Sequence, residues 1–171
     1  MRVVLLRHGP AGQRDASRWP NDALRPLSTQ GESRTRAACA GLRKLLGDDV
    51  TLIATSPLVR SARTAKLLAE ALDGVKVVTL EALEPGGSYR EILRFLAEQP
   101  AGETVVLVGH EPDLGKLAGV LLFGAPAAVP LKKAGACLIQ CVGEVGPGTG
   151  RLRWLLTPKL LRARGKKGTK V

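Results

Sequence analysis

Aromatic residues are scarce in this 171-residue chain, with Phe, Trp and Tyr together making up 3% of it. That scarcity argues against a stacking platform for nucleic-acid bases and leaves core packing to Leu, Val and Ala. Cysteine is sparse as well. Cys39, Cys137 and Cys141 are an odd number with no C-x-x-C pair, so neither a disulfide framework nor a zinc site is expected. Each reads as a small buried hydrophobe. The longest uncharged run, Leu117 to Leu131, has 15 residues and is interrupted by Gly119, Gly124, Pro126 and Pro130. It is too short and too broken to span a membrane. The apolar stretch Val3 to Leu6 ends at Arg7 and His8, which is too brief for a secretion signal. A cytoplasmic protein with no membrane partner is expected.

Acidic residues are also in deficit. Lys and Arg number 26 against 15 Asp and Glu, for a net charge of +11. Residues 159–171 (KLLRARGKKGTKV) hold six of the cations and no acid, leaving +5 for the rest. The division predicts one domain over residues 1–158 and a basic, solvated C-terminal tail over residues 159–171. Polyanion binding is the alternative use of that tail. The lack of aromatics and of a known nucleic-acid motif argues against nucleic acid as a partner.

What is present is an ordinary globular composition, 44% hydrophobic and 24% charged, enough for a full core. Short apolar runs alternate with helical patterns, the sign of an α/β fold with helices on both faces of a sheet. Strands are predicted at Arg2–Arg7, Thr51–Thr55, Val75–Leu80, Thr104–Val108, Ala136–Val142 and Leu152–Leu156. The continuous runs Val3-Val4-Leu5-Leu6 and Val105-Val106-Leu107-Val108 suit central strands buried on both faces. Thr29 and Glu32 have capping-box spacing for a helix to about Leu46. Ser56-Pro57 is expected to cap a second, Ser88 with Glu91 a third, and Pro112 to open a fourth that ends near Gly124. Residues 143–150, rich in Gly and Pro, read as a hairpin loop.

The two histidines are the most informative residues. His8 directly follows the first predicted strand and His110 follows another, each beside a glycine. Ligands of open α/β sheets bind outside the carboxyl ends of strands, so both imidazoles lie where a site would be built. Arg7 precedes His8, and Arg60 falls early in the second predicted helix, whose N-terminus favours an anion. Two guanidiniums with two imidazoles suit a tetrahedral dianion such as phosphate. No Asp/Glu cluster with metal-ligand spacing accompanies them, so no metal or other cofactor is expected.

Arg7-His8-Gly9 after an N-terminal strand resembles the signature of the histidine phosphatase superfamily, also called phosphoglycerate mutase-like. Ser56-Pro57-Leu58-Val59-Arg60 through Thr64-Ala65 resembles its SPxxRxxxTA block, and Val108-Gly109-His110 its late strand-ending histidine. Arg25-Pro26-Leu27 through Gly31 resembles its RPLT-x-x-G segment. Gly109 to Leu114 (GHEPDL) is similar to the GHxPxL stretch of the SixA-type branch. The resemblance implies a three-layer αβα sandwich with a mostly parallel central sheet. It also implies His8 as nucleophile, Arg7, Arg60 and His110 binding the phosphoryl oxygens, and Gly9 and Arg25 as further substrate-binding residues.

In larger relatives a loop carboxylic acid protonates the leaving group. Glu84, in Leu83-Glu84-Pro85-Gly86-Gly87, occupies roughly that stretch, with Asp22 and Glu111 as weaker candidates. A cationic pocket with an uncertain acid fits the labile P–N bond of phosphohistidine better than an alkoxide ester, which needs general acid help. The leading expectation is therefore a metal-independent phosphatase acting on a phosphohistidine-bearing protein. The alternatives are a phosphatase of small phosphate esters using Glu84, and a non-catalytic phosphate- or polyanion-binding module. Trp19 and Trp154 read as packing residues, and Lys132-Lys133 as a solvated turn.

Overall fold

The computed structural model describes residues 1–166. Six strands, β1 (Arg2–Arg7), β2 (Val50–Thr55), β3 (Val77–Thr79), β4 (Thr104–Gly109), β5 (Ala136–Cys141) and β6 (Gly150–Leu156), form one sheet in the order β3-β2-β4-β1-β5-β6. The β1–β4, β2–β4 and β2–β3 pairs are parallel, whereas β5 and β6 are antiparallel additions. The central pair β1 and β4 is the pair predicted from uninterrupted apolar runs, and Val3 to Leu5 and Val105 to Val108 are fully buried. Alternation divides the core in two. Val4, Leu6, Val106 and Val108 pack with Leu42, Leu46 and Leu68 on one face of the sheet. Val3, Leu5, Val105 and Leu107 pack with Ile92, Leu96, Leu117 and Leu121 on the other.

The first face is covered by α1 (Thr29–Leu46) and α2 (Val59–Ala71), the second by α3 (Tyr89–Ala97) and α4 (Asp113–Phe123). The chain leaves β1 for one face and the neighbouring β4 for the other. This reversal opens a crevice at the carboxyl ends of β1 and β4, the usual ligand position of open α/β sheets.

Several local expectations shift. The N-cap of α1 is Ser28, which accepts the Gly31 N–H at 3.0 Å, one residue before the expected Thr29. Glu32 is drawn instead to Arg63 across the α1–α2 seam. Helix α2 starts at Val59 rather than at Ser56-Pro57, and the buried Ser56 hydroxyl accepts the Leu58 N–H at 3.3 Å and contacts His110. Strand β3 is only three residues, at one edge of the sheet.

The largest difference lies at the C-terminus. Residues expected to begin a solvated tail form a fifth helix, α5 (Pro158–Lys166), packed on α1. Leu161 is fully buried in the first core, and the helix backbone approaches so closely that a Cβ on Gly41 would collide with the Leu161 carbonyl. Lys44 Nζ donates to the Gly165 carbonyl at 3.0 Å. The rest of the expected tail, residues 167–171, lies outside the described residues. No helix among the described residues is long and apolar enough to cross a membrane.

Candidate active site

Arg7 pairs with Gly109 in the β1–β4 register, so His8 and His110 emerge side by side. Their ring centroids are 5.0 Å apart. Both are buried, at 6% and 3% exposure. The residue after His8 must be small. A Cβ at Gly9 would collide with Thr35 Oγ1, and its N–H donates to Thr64 Oγ1 at 3.0 Å, tying the turn after β1 to α2.

Hydrogen bonds set the state of each ring. His8 Nδ1 lies 2.7 Å from the Gly9 carbonyl. A carbonyl only accepts, so Nδ1 carries the hydrogen and Nε2 the lone pair. Burial, the adjacent His110 and the Arg60 and Arg7 charges push the His8 pKa down to about 3, against the raising effect of the Gly9 bond. His110 Nε2 lies 2.9 Å from the Ser56 hydroxyl, and burial with the Arg60 charge lowers its pKa to about 4. Both imidazoles are therefore neutral at physiological pH.

A cleft of about 360 Å³ opens over them, lined by Arg7, Arg14, Asp22, Arg25, Arg60, Pro85, Glu111 and Lys133 as well as both histidines. Arg60 is aimed from the first turn of α2, donating to the Asp22 carbonyl at 2.8 Å and pairing with its carboxylate at 3.1 Å. Arg7 donates to the Leu131 carbonyl at 2.8 Å. Arg7 Nε, Arg60 Nε and His110 Nδ1 are buried with no hydrogen-bond partner among the described residues. Orphaned buried donors cost about 1–3 kcal/mol each, and a bound oxyanion is the chemistry that satisfies such a set. Among the described residues no group of three or more His, Cys, Asp and Glu is arranged to hold a metal ion.

The structure thus brings His8, Arg7, Arg60 and His110 together. Arg25 joins the cleft wall but spends its guanidinium on Asp22 and on the Gly12 carbonyl. Gly9 is not among the lining residues. Glu84 is not either, and the loop presents Pro85 instead. Asp22 is held ionised, since the Arg25 hydrogen bond and the Arg60 and Arg14 charges pull its pKa below the usual carboxylate range. Lys133, expected on a solvated turn, is exposed but lines the cleft. Trp154 packs against the first core as expected. Sequence reasoning missed Ser56 and Thr64 as partners of the site, although both stand within the block that resembles SPxxRxxxTA.

The profile described as histidine phosphatase superfamily, branch 1, matches residues 3–85, which contain Arg7, His8 and Arg60. An uncharacterized protein of Picosynechococcus sp. is 39% identical over 138 residues, covering 79% of this chain and 82% of that one. The chain belongs to the histidine phosphatase superfamily. The structure of the protein histidine phosphatase SixA complexed with tungstate superposes with a TM-score of 0.79 at 25% identity, over 94% of this chain and 99% of that one. A mycobacterial glucosyl-3-phosphoglycerate phosphatase shares the fold, with a TM-score of 0.67 at 20% identity over 90% and 96% of the two chains. Membership of the superfamily supports phosphatase activity for this chain.

Proposed function

We propose that this histidine phosphatase superfamily member is a metal-independent phosphatase that hydrolyses protein phosphohistidine through a covalent intermediate on His8. The observation that carries the reading is the neutral His8 imidazole, with its lone pair on Nε2, in a cleft whose two buried arginines each keep an Nε with no partner among the described residues. Nε2 attacks phosphorus and forms a P–N bond while the P–N bond of the substrate breaks. The leaving imidazole keeps its electron pair on the former phosphorylated nitrogen and departs neutral, its hydrogen on the other nitrogen. Arg7, Arg60 and His110 hold the phosphoryl oxygens throughout, which is the main contribution in phosphoryl transfer. Water then attacks the His8 phosphoryl group, and the P–N bond breaks to return the Nδ1–H imidazole and to release phosphate carrying both water protons.

Nucleophile and leaving group are then the same chemical species, so no strong acid is required. The cleft supports that economy. Its Asp22 is ionised and committed to Arg25 and Arg60, its Glu111 accepts the Leu131 N–H at 2.8 Å, and Glu84 does not line it. The SixA likeness adds the protein-borne substrate, by analogy.

The test is phosphate release from a phosphohistidine-bearing protein and from p-nitrophenyl phosphate, with EDTA present, for wild type and His8→Ala. Rapid His8-dependent release from the first with weak release from the second is expected. A strong ester rate lost in Glu84→Gln would replace this reading with ester hydrolysis. We expect Glu84→Gln to change the phosphohistidine rate by no more than about twofold, since the half-buried Glu84 side chain does not line the cleft and the swap is isosteric.

A further inference from the structure

A hydrogen-bonded chain runs from Glu111 to Arg7 through the backbone of a single residue. Glu111 Oε1 accepts the Leu131 N–H at 2.8 Å, and the Leu131 carbonyl accepts Arg7 Nη1 at 2.8 Å. Leu131 is 3% exposed, so bulk water competes little with either bond. Three residues on, the Ala134 N–H lies 3.1 Å from both the Arg7 and the His8 carbonyls. The Gly135 carbonyl accepts the Arg7 N–H at 3.1 Å. Ala134 adopts φ 58°, a left-handed conformation rare for alanine, which the surrounding bonds must hold in place.

Residues 131–135 therefore lie as a strap behind Arg7-His8, and the Glu111 carboxylate clasps its near end. Gly115 leaves room for the clasp, because a Cβ there would meet Glu111 Oε2 and the Val129 carbonyl at 2.9 Å each. The two arginines of the cleft are thus held by different means. Arg60 is gripped by the Asp22 carboxylate, whereas Arg7 depends on a carbonyl whose position is set elsewhere.

We infer that Glu111 is a positioning residue: by anchoring Leu131 it fixes the carbonyl that aims the Arg7 guanidinium into the cleft. The inference rests on Arg7 as a phosphoryl-binding residue, as proposed above. A guanidinium ends a long flexible side chain, and transfer demands placement within fractions of an ångström. Because Glu111 also lines the cleft, its carboxyl group must be distinguished from a proton donor.

Orthovanadate binding measured by calorimetry makes the distinction, since it needs phosphoryl-site geometry and no leaving-group protonation. Glu111→Gln keeps an acceptor oxygen at the same reach and is expected to bind orthovanadate and turn over phosphohistidine within about threefold of wild type. Glu111→Asp keeps the charge but is one methylene short, and with Glu111→Ala it should weaken orthovanadate by about tenfold or more, as losing a charged hydrogen bond does. Arg7→Ala should weaken it at least as much, and Arg7→Ala/Glu111→Ala no further, because the clasp acts through Arg7.

Equal losses in Glu111→Gln and Glu111→Ala, or additive losses with Arg7→Ala, would overturn the clasp. If Glu111→Ala fails to fold, the contrast of Glu111→Asp with Glu111→Gln carries the test. Wild-type binding by Glu111→Asp alongside weakened binding by Arg7→Ala removes the clasp alone. Unchanged binding by Arg7→Ala removes the phosphoryl-site reading with it.

Discussion

The ends of β1 and β4 carry one histidine each, in matching register and both buried, yet they differ in one hydrogen bond. At the end of β1, His8 Nδ1 faces the Gly9 carbonyl, which can only accept. The lone pair is forced onto Nε2, and the ring becomes a nucleophile with no neighbouring base needed. At the end of β4, His110 Nε2 faces the Ser56 hydroxyl, which can donate or accept. That hydroxyl already accepts the Leu58 N–H at 3.3 Å. The hydroxyl keeps its own hydrogen and a second lone pair for Nε2; when it donates, the ring hydrogen of His110 sits on the orphaned Nδ1 as a donor for an anion. Two identical side chains at equivalent strand ends thus acquire opposite tendencies, one to attack phosphorus and one to hold its oxygens. The partner of the far nitrogen makes the difference, not burial or charge, which the two share.

The comparison breaks most sharply at His8. His8→Ala should lower turnover by about 10⁴-fold or more, the scale seen when a nucleophile is removed. Rapid quench with radiolabelled substrate should then recover no labelled enzyme. His110→Ala should cost less, about 10²–10³-fold, as when one donor to a developing oxyanion is lost. It should still accumulate labelled enzyme. Equal labelling in both variants would erase the contrast between the rings.

Ser56→Ala sharpens it further. With the hydroxyl gone the His110 tautomer is unconstrained, and a loss of about tenfold is expected from one hydrogen bond. Histidine nitrogen NMR checks the cause directly, because the chain has only two histidines to assign. The His110 signals should move in Ser56→Ala and those of His8 should stay.

The smallest effect is on pH dependence. Both rings have folded pKa values, about 3 and about 4, below that of an unfolded histidine near 6.5. The unfolded chain therefore takes up protons first as pH falls. Stability from this source is intact above about pH 6.5 and declines below it, until the folded rings also titrate near pH 4 and then 3. Denaturant melts should show wild type losing stability between pH 7 and pH 5, and His110→Asn losing less. Over about pH 5–8, kcat/KM should show no break from either histidine once substrate ionisation is divided out.

Much of this was legible in the residues. The apolar runs ending in Arg7-His8-Gly9 and Gly109-His110 placed both rings at strand ends, because a strand buried on both faces needs an unbroken apolar run and the glycines mark sharp exits. What stayed hidden depends on contacts between distant segments. Ser56 reads as a helix cap because cap chemistry is local, and its hydroxyl does accept the Leu58 N–H, but its second partner, His110, is 54 positions away. Residues 159–166 looked like a tail because their cations outweigh a single apolar anchor, Leu161, whose burial depends on a glycine in α1. Glu84 looked placed for acid work by loop position, and the loop turned Pro85 to the cleft instead.

The order of strands and helices, the two histidines at strand ends and the excess of arginine were determined by the chain's own pattern. Periodicity and residue type act over a few positions, and a sequence displays them directly. The tautomer of His8, the partner of His110, the commitment of Asp22 to the arginines and the strap behind Arg7 were decided only in the folded state. The Ser56–His110, Asp22–Arg60 and Leu131–Arg7 bonds join segments far apart in sequence, and the His8–Gly9 bond, though between neighbours, depends on the turn that the fold imposes after β1.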